Sequence, residues 1–271
     1  MFRLPLVVLC LGLTACAAVP PEIPDGPDST GSPVPGAFRM DFDGADPMRV
    51  WGLDISAEAI AINGAEVAGA PGPDGGDALQ FPAVAWENEE ESELPTAPGL
   101  VIVLRGSGLP DPRERDFSFG AELRLDEAST SDADDGDNVL QRGLARDVNQ
   151  YKLQVDVGRP SCVVAGPGGR YAAKLKGKLG TGWYRVRCDK VGDTLTLQVA
   201  SLESDGTEPE TVTVAAAPGA LSFDPATPLS IGRKVTAAGA PVINKPDQFN
   251  GALGSVWVAV EQGEPGDQPS E

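Results

Sequence analysis

Apolar and polar residues alternate along most of this chain, and that pattern excludes more folds than any other feature. Phe38, Met40 and Phe42 take turns with Arg39, Asp41 and Asp43 before Gly44 ends the segment. Segment 116–125 carries Phe117, Phe119, Ala121, Leu123 and Leu125 at every second position. The same period runs through 151–157, 183–188 and 194–199, and shorter stretches at 100–104, 211–214, 229–231 and 253–260 complete the set. A period of two places successive side chains on opposite faces, so each stretch is a strand with one buried face. Gly, Pro and Asp bound the stretches, and Val191-Gly192-Asp193 reads as a tight hairpin turn. No amphipathic segment of helical period extends beyond about two turns. Many strands and few helices leave a sandwich or a barrel.

Composition narrows the chemistry. The 271 residues contain no His, which removes Ser-His-Asp and Cys-His catalysis, His-ligated zinc and imidazole acid–base chemistry. A formal net charge of −19 repels phosphate backbones and anionic headgroups, so nucleic acid is not a partner. The acidity reads as a solubility feature.

The N-terminus carries an export pattern. Arg3 precedes a short apolar stretch, 4–13, interrupted by Pro5. Ten residues at 1.5 Å rise fall well short of a hydrocarbon core of about 30 Å. Leu13-Thr14-Ala15-Cys16 resembles the lipobox of a bacterial lipoprotein. The resemblance implies that 1–15 is removed as a signal peptide and that Cys16 becomes the lipidated first residue. Two or three acyl chains would then hold the protein stably on a membrane. The expected location is the cell envelope, outside the cytoplasm; an ordinary secretory signal cut after Ala15 is the alternative. Pro20, Pro21, Pro24, Pro27, Pro33 and Pro35 make 16–36 a lipidated terminus and spacer, and 263–271 reads as a disordered tail. The folded domain is expected over 37–262.

The order of pieces within that domain resembles the concanavalin A-like lectin/glucanase superfamily, and within it a laminin G-like jelly roll. The pieces are Asp41-Phe42-Asp43, a crossing with Asp54, Asn63 and Gly64, then Gly75-Gly76-Asp77-Ala78-Leu79-Gln80-Phe81. Asp116-Phe117-Ser118-Phe119, the hairpin-like Asn138-Val139-Leu140-Gln141-Arg142-Gly143, and Gly182-Trp183-Tyr184-Arg185-Val186 follow. Pro228-Leu229-Ser230-Ile231-Gly232-Arg233 and Phe249-Asn250-Gly251-Ala252 close the series. The expected fold is all-β, an antiparallel jelly-roll sandwich. The implied function is a non-catalytic binding module for a glycan or an envelope protein. A divergent glycoside hydrolase or lyase on the same fold, and a structural envelope protein without a ligand, are the alternatives.

Few residues offer specific chemistry. Cys162 and Cys188 lie on segments expected to pair across a sheet, and an oxidising compartment would join them in a structural disulfide. Glycosidases of the resembled superfamily set two carboxylates on one strand face about 5 Å apart. Here Glu122 and Asp126 share a face while Glu127 points away, and the run Glu87 to Glu93 reads as a solvated loop, so no catalytic residue is assigned. Asp132, Asp134, Asp135 and Asp137 crowd one loop, and two readings stay open: a calcium site, with Asp134, Asp135 and Asp137 as ligands, or a flexible acidic turn. Lys174, Lys176 and Lys178 form the main basic cluster, read as a guarded edge strand or as a patch for sulfated glycans or acidic partners, with Lys174 and Lys176 as contacts. Of four tryptophans, Trp183 and Trp257 are expected in the core, and Trp86 beside the acidic loop is the candidate for stacking on sugar.

Overall fold

The computed structural model describes residues 36–43, 46–52, 54–83, 97–127, 137–203, 207–244 and 247–261. Its strands are β1 (Ala37–Asp43), β2 (Asp46–Trp51), β3 (Ser56–Ile62), β4 (Ala68–Pro71), β5 (Asp77–Gln80), β6 (Gly99–Arg105), β7 (Phe117–Leu125) and β8 (Asp137–Arg142). They continue as β9 (Gln150–Asp156), β10 (Arg159–Gly166), β11 (Gly169–Lys174), β12 (Trp183–Val191), β13 (Thr194–Ser201), β14 (Glu210–Ala215), β15 (Leu229–Ile231) and β16 (Gly251–Val260). Among the described residues the helical element is one 3-10 turn, Pro73–Gly75, and no helix is long and apolar enough to cross a membrane.

Two antiparallel sheets face each other. The larger has nine strands in the order β14-β13-β12-β7-β16-β1-β2, with β5 added beside β16 and β4 beside β5. The smaller has seven, β11-β10-β9-β8-β15-β6-β3. The expected all-β antiparallel sandwich is the fold observed. Every strand read from alternation in the sequence is present, and hairpin chemistry sets their register. Val157 and Gly158, both at positive φ (53° and 70°), form the two-residue turn between β9 and β10, whose mirror-image geometry suits strand twist. Gly192 and Asp193 join β12 to β13, as the sequence indicates.

The core lies between the sheets. Phe38, Met40, Phe119 and Leu123 of the larger sheet meet Leu100, Ile102, Leu104, Leu153 and Val164 of the smaller, all excluded from solvent. Fully burying such side chains stabilises by roughly 1.5–3 kcal/mol each. Tyr151 sits among Phe117, Phe119 and Phe223 at ring-centroid distances of 5.7, 5.5 and 5.5 Å. Beside it Arg142, 2% exposed, donates to the carbonyls of Leu109, Pro110 and Thr227.

Two expectations need correction. Cys162 and Cys188 are bonded, with Cα atoms 5.8 Å apart, but not within one sheet. Cys162 lies on β10 of the smaller sheet and Cys188 on β12 of the larger, so the disulfide crosses the core. Strand identity was legible in the sequence, whereas sheet membership depends on pairings far apart in the chain. The lysine cluster is also not a single edge strand. The edge strand β11 ends at Lys174, which pairs with Asp156, and Lys176 and Lys178 lie in the loop beyond it. Beyond the strand Leu175 and Leu179 are buried and 176–178 are exposed, with Leu175 N–H bonding Pro160 O and Leu179 N–H bonding Gly158 O.

Candidate functional site

The inward set of the nine-stranded sheet fills the core, so period two sends the intervening residues outward. Cross-strand register lines them up in rows. One row reads Trp51, Arg39, Trp257, Gly120, Arg187, Gln198 and Thr211 from β2 to β14. Seven strands at about 4.8 Å spacing make it roughly 29 Å wide. The next row reads Arg49, Asp41, Ser255, Glu122, Arg185 and Ala200. A register shift between Leu253 and Ser255 keeps Leu253 inward while turning Ser255 and Trp257 outward.

Charges on this face are paired. Arg39 Nε donates to Asp41 Oδ1 at 2.7 Å, Arg187 Nε to Asp189 Oδ1 at 2.7 Å, and Arg185 Nη2 to Glu122 Oε1 at 2.7 Å. Ser255 Oγ donates to the other Glu122 oxygen at 3.2 Å. Burial pushes the Asp189 carboxyl above its ordinary range, and the Arg187 guanidinium opposes that shift.

Three of the four tryptophans belong to this sheet's outer side. Trp51 is half-buried; its indole N–H donates to Asp41 Oδ2 at 3.1 Å, and the Arg49 guanidinium lies 3.9 Å from the ring centre. Trp183 packs with Ala78 and Ala252 in a small cluster of its own, with Arg124 5.5 Å from the ring. Trp257 is 2% exposed and lies against Gly120, where a Cβ would come within 2.4 Å of the indole. Trp183 and Trp257 are buried, as expected, but neither belongs to the core between the sheets. The Trp257 Nε1–H is buried and has no hydrogen-bond partner among the described residues. A buried donor left unmade carries a penalty of about 1–3 kcal/mol.

The candidates named from the sequence are distributed differently. Cys16, Trp86, Asp132, Asp134 and Asp135 lie outside the described residues. Asp137 is 1% exposed and faces inward at the start of β8, where its Oδ2 accepts from Asn250 N at 3.3 Å and Asn250 Nδ2 at 3.5 Å. Among the described residues no group of three His, Cys, Asp or Glu side chains stands at metal-binding distance. Lys174 and Lys176 are exposed at the far edge of the opposite sheet, away from the tryptophan rows. The rows of Trp51, Arg39, Arg49, Asp41, Ser255, Arg185 and Arg187 were missed in the sequence. Part of the signal was present, with Arg39, Asp41, Ser255, Arg185 and Arg187 on strands read from alternation, whereas Arg49 and Trp51 lie on β2, which no alternation marked.

No protein-family model matches the chain, and no curated protein sequence matches it. Solved structures do resemble it. The LG1-3 region of the laminin alpha2 chain aligns at a TM-score of 0.43 and 14% identity, over 54% of this chain and 28% of that one. Domains LG4-5 of the mouse laminin alpha1 chain align at 0.40 and 15%, over 58% and 38%. The binding domain of botulinum neurotoxin serotype G aligns at 0.48 and 8%, over 82% and 46%. This chain therefore spans under half the length of each of these structures. The strand order, rather than these likenesses, defines the fold.

Proposed function

We propose that the protein is a non-catalytic binding module, held outside the cytoplasm by a lipid on Cys16, and that the outer face of its nine-stranded sheet takes a glycan of the envelope or its surroundings. The observation that carries this reading is the row from Trp51 to Arg187, in which the half-buried Trp51 indole lies on one face with the paired Arg39–Asp41 and Arg187–Asp189 groups. Flat apolar ring faces beside fixed polar groups suit a sugar, which presents C–H faces and hydroxyl edges. The acidic body would keep the module clear of an anionic bilayer, at the end of its Pro-rich spacer.

The ligand half of the proposal is tested on a glycan array with titration of the hits. Trp51→Ala is expected to weaken binding by about tenfold, a 1.4 kcal/mol effect. An array that retains nothing, or a Trp51→Ala protein that binds unchanged, overturns it. An envelope protein captured in place of a glycan, on the same residues, would reassign the ligand class. The anchor half is read by mass spectrometry of membrane-purified material. A diacylated Cys16 at the N-terminus is expected; retained Met1 or a free thiol at position 16 overturns it.

Glu122 supports the hydrolase alternative least. Both of its oxygens are engaged, by Arg185 and by Ser255, instead of facing an open partner carboxylate. Turnover of a plain β-glucan that disappears in Glu122→Gln would restore that alternative.

A further inference from the structure

We infer that β14, the outer strand of the nine-stranded sheet, pairs with β14 of a second copy of this chain, antiparallel and centred on Thr213. β14 ends the sheet order, and among the described residues it pairs with β13 alone. An uncovered edge strand presents a row of unpaired N–H and C=O groups, and natural sheets guard such edges with charge, Pro, bulges or brevity. The other edges of this molecule are guarded in that way. β2 carries the exposed Arg49, β3 the exposed Glu58, and β11 the exposed Arg170 and Lys174, while β4 spans four residues and ends at Pro71. β14 has one guard, Glu210 at its start. The rest of it reads Thr-Val-Thr-Val-Ala, β-branched at four successive positions.

Backbone register identifies the groups that face the second copy. Ala216 N–H bonds Asp193 O at 2.9 Å, one step beyond the pair Thr194 and Ala215. Hydrogen-bonded pairs alternate along an antiparallel ladder, so Val214 and Val212 bond β13. Thr211, Thr213 and Ala215 therefore aim their N–H and C=O groups at the open edge, and all three residues are exposed. A two-fold axis through Thr213 sets that residue opposite its own copy and Thr211 opposite Ala215, with backbone bonds exchanged at each pair. It also sets Val212 opposite Val214. Both valines are half-buried against the inter-sheet core, and the pairing extends the edge of that core.

Charge selects a second copy as the occupant. With a formal net charge of −19, two copies repel over most of their surface. β13 and β14 together carry a single charged residue, Glu210, and the two-fold register places it opposite Ala216 instead of the other Glu210. Two acidic bodies can thus meet at this edge without opposing like charges. The cations of β11, the nearby edge strand of the other sheet, are held on their own side: Arg170 donates to Gln150 Oε1 and Ala145 O, and Lys174 pairs with Asp156. A pair of six-residue strands buries less than the about 1,200 Å2 at which stable interfaces begin, so the dimer forms reversibly with concentration. The axis stands perpendicular to the sheet, so the outer faces of the two copies lie on the same side and their rows continue one another.

Sedimentation equilibrium of the intact protein at physiological ionic strength, from about 1 μM to about 1 mM, tests this. A monomer–dimer equilibrium is expected. Thr213→Lys and Thr213→Glu each set like charges face to face on the axis, and each is expected to weaken the dimer by about fivefold or more. An equimolar mixture of the two variants is expected to recover dimer, because Lys then faces Glu, and recovery also shows that both variants are folded. Wild-type protein that stays monomeric throughout the range, single variants that dimerise like the wild type, or a mixture that recovers no dimer overturns the inference. So does a β14 edge found occupied by a strand of another protein while this chain stays monomeric. The inference does not rest on the glycan reading, so its failure leaves the proposal for the tryptophan rows to its own test.

Discussion

Tyr151 shows how far one residue can be read from its surroundings. Enclosed by three aromatic rings, its phenol is pushed up to about 12 by burial, against the lowering effect of Arg142. The folded state therefore keeps a proton that an unfolded chain releases near 10. The stability this contributes is fully present below pH 10 and is lost as pH rises through the folded value. Urea unfolding at about pH 9 and about pH 11 should show a loss of about 1.4 kcal/mol from this group. Tyr151→Phe should remove that share of the alkaline slope, and an unchanged slope would refute the assignment. Burial of Tyr151 was legible from its place in an alternating strand. The neighbours that shift it were not, because Arg142 and Phe223 reach it only through the pairing of β8 and β9 and a distant loop. Trp257 carries the same lesson. Its position in a strand predicted burial, but a one-residue register shift decided which side of the sheet it is buried on.

Among the elements, β10 and β12 are joined by the disulfide while lying in different sheets. Closing a loop of this length stabilises by roughly 3 kcal/mol in the chain-entropy account. The double substitution Cys162→Ala, Cys188→Ala should therefore lower the melting temperature by about 6–12 °C, read by calorimetry under oxidising conditions. No change would mean that the inter-sheet core alone fixes the two sheets. The elements hardest to see in the sequence were β3 and β4. Ser56–Ile62 carries three Ala, a residue of weak strand preference, and its pairing with β6 makes it an edge strand. Ala68–Pro71 offers almost no side chain to bury and exists through its pairing with β5. Segments with Phe, Leu and Val at alternate positions were read correctly because burial of one face is their main driving force.

Taken whole, the described sandwich brings its first and last strands together: Ala37 pairs with Ala259, and Val260 N–H bonds Gly36 O at 3.0 Å. Its charge is a property of the chain as a unit. With a net −19 and an isoelectric point near 4.3, self-association should be lowest at neutral pH and greatest near pH 4.3, as light scattering across that interval would show. Scattering that is flat with pH would contradict this. The sequence by itself determined the strand class, the absence of imidazole chemistry and the charge, since each follows from local composition or a period of two. Only the tertiary structure decided which strands share a sheet, that the disulfide spans the core, and that Trp51, Arg39, Trp257 and Arg187 form one row. Those arrangements are set by contacts between segments far apart in the chain, and burial of the combined core selects them over the other pairings that the same strands allow.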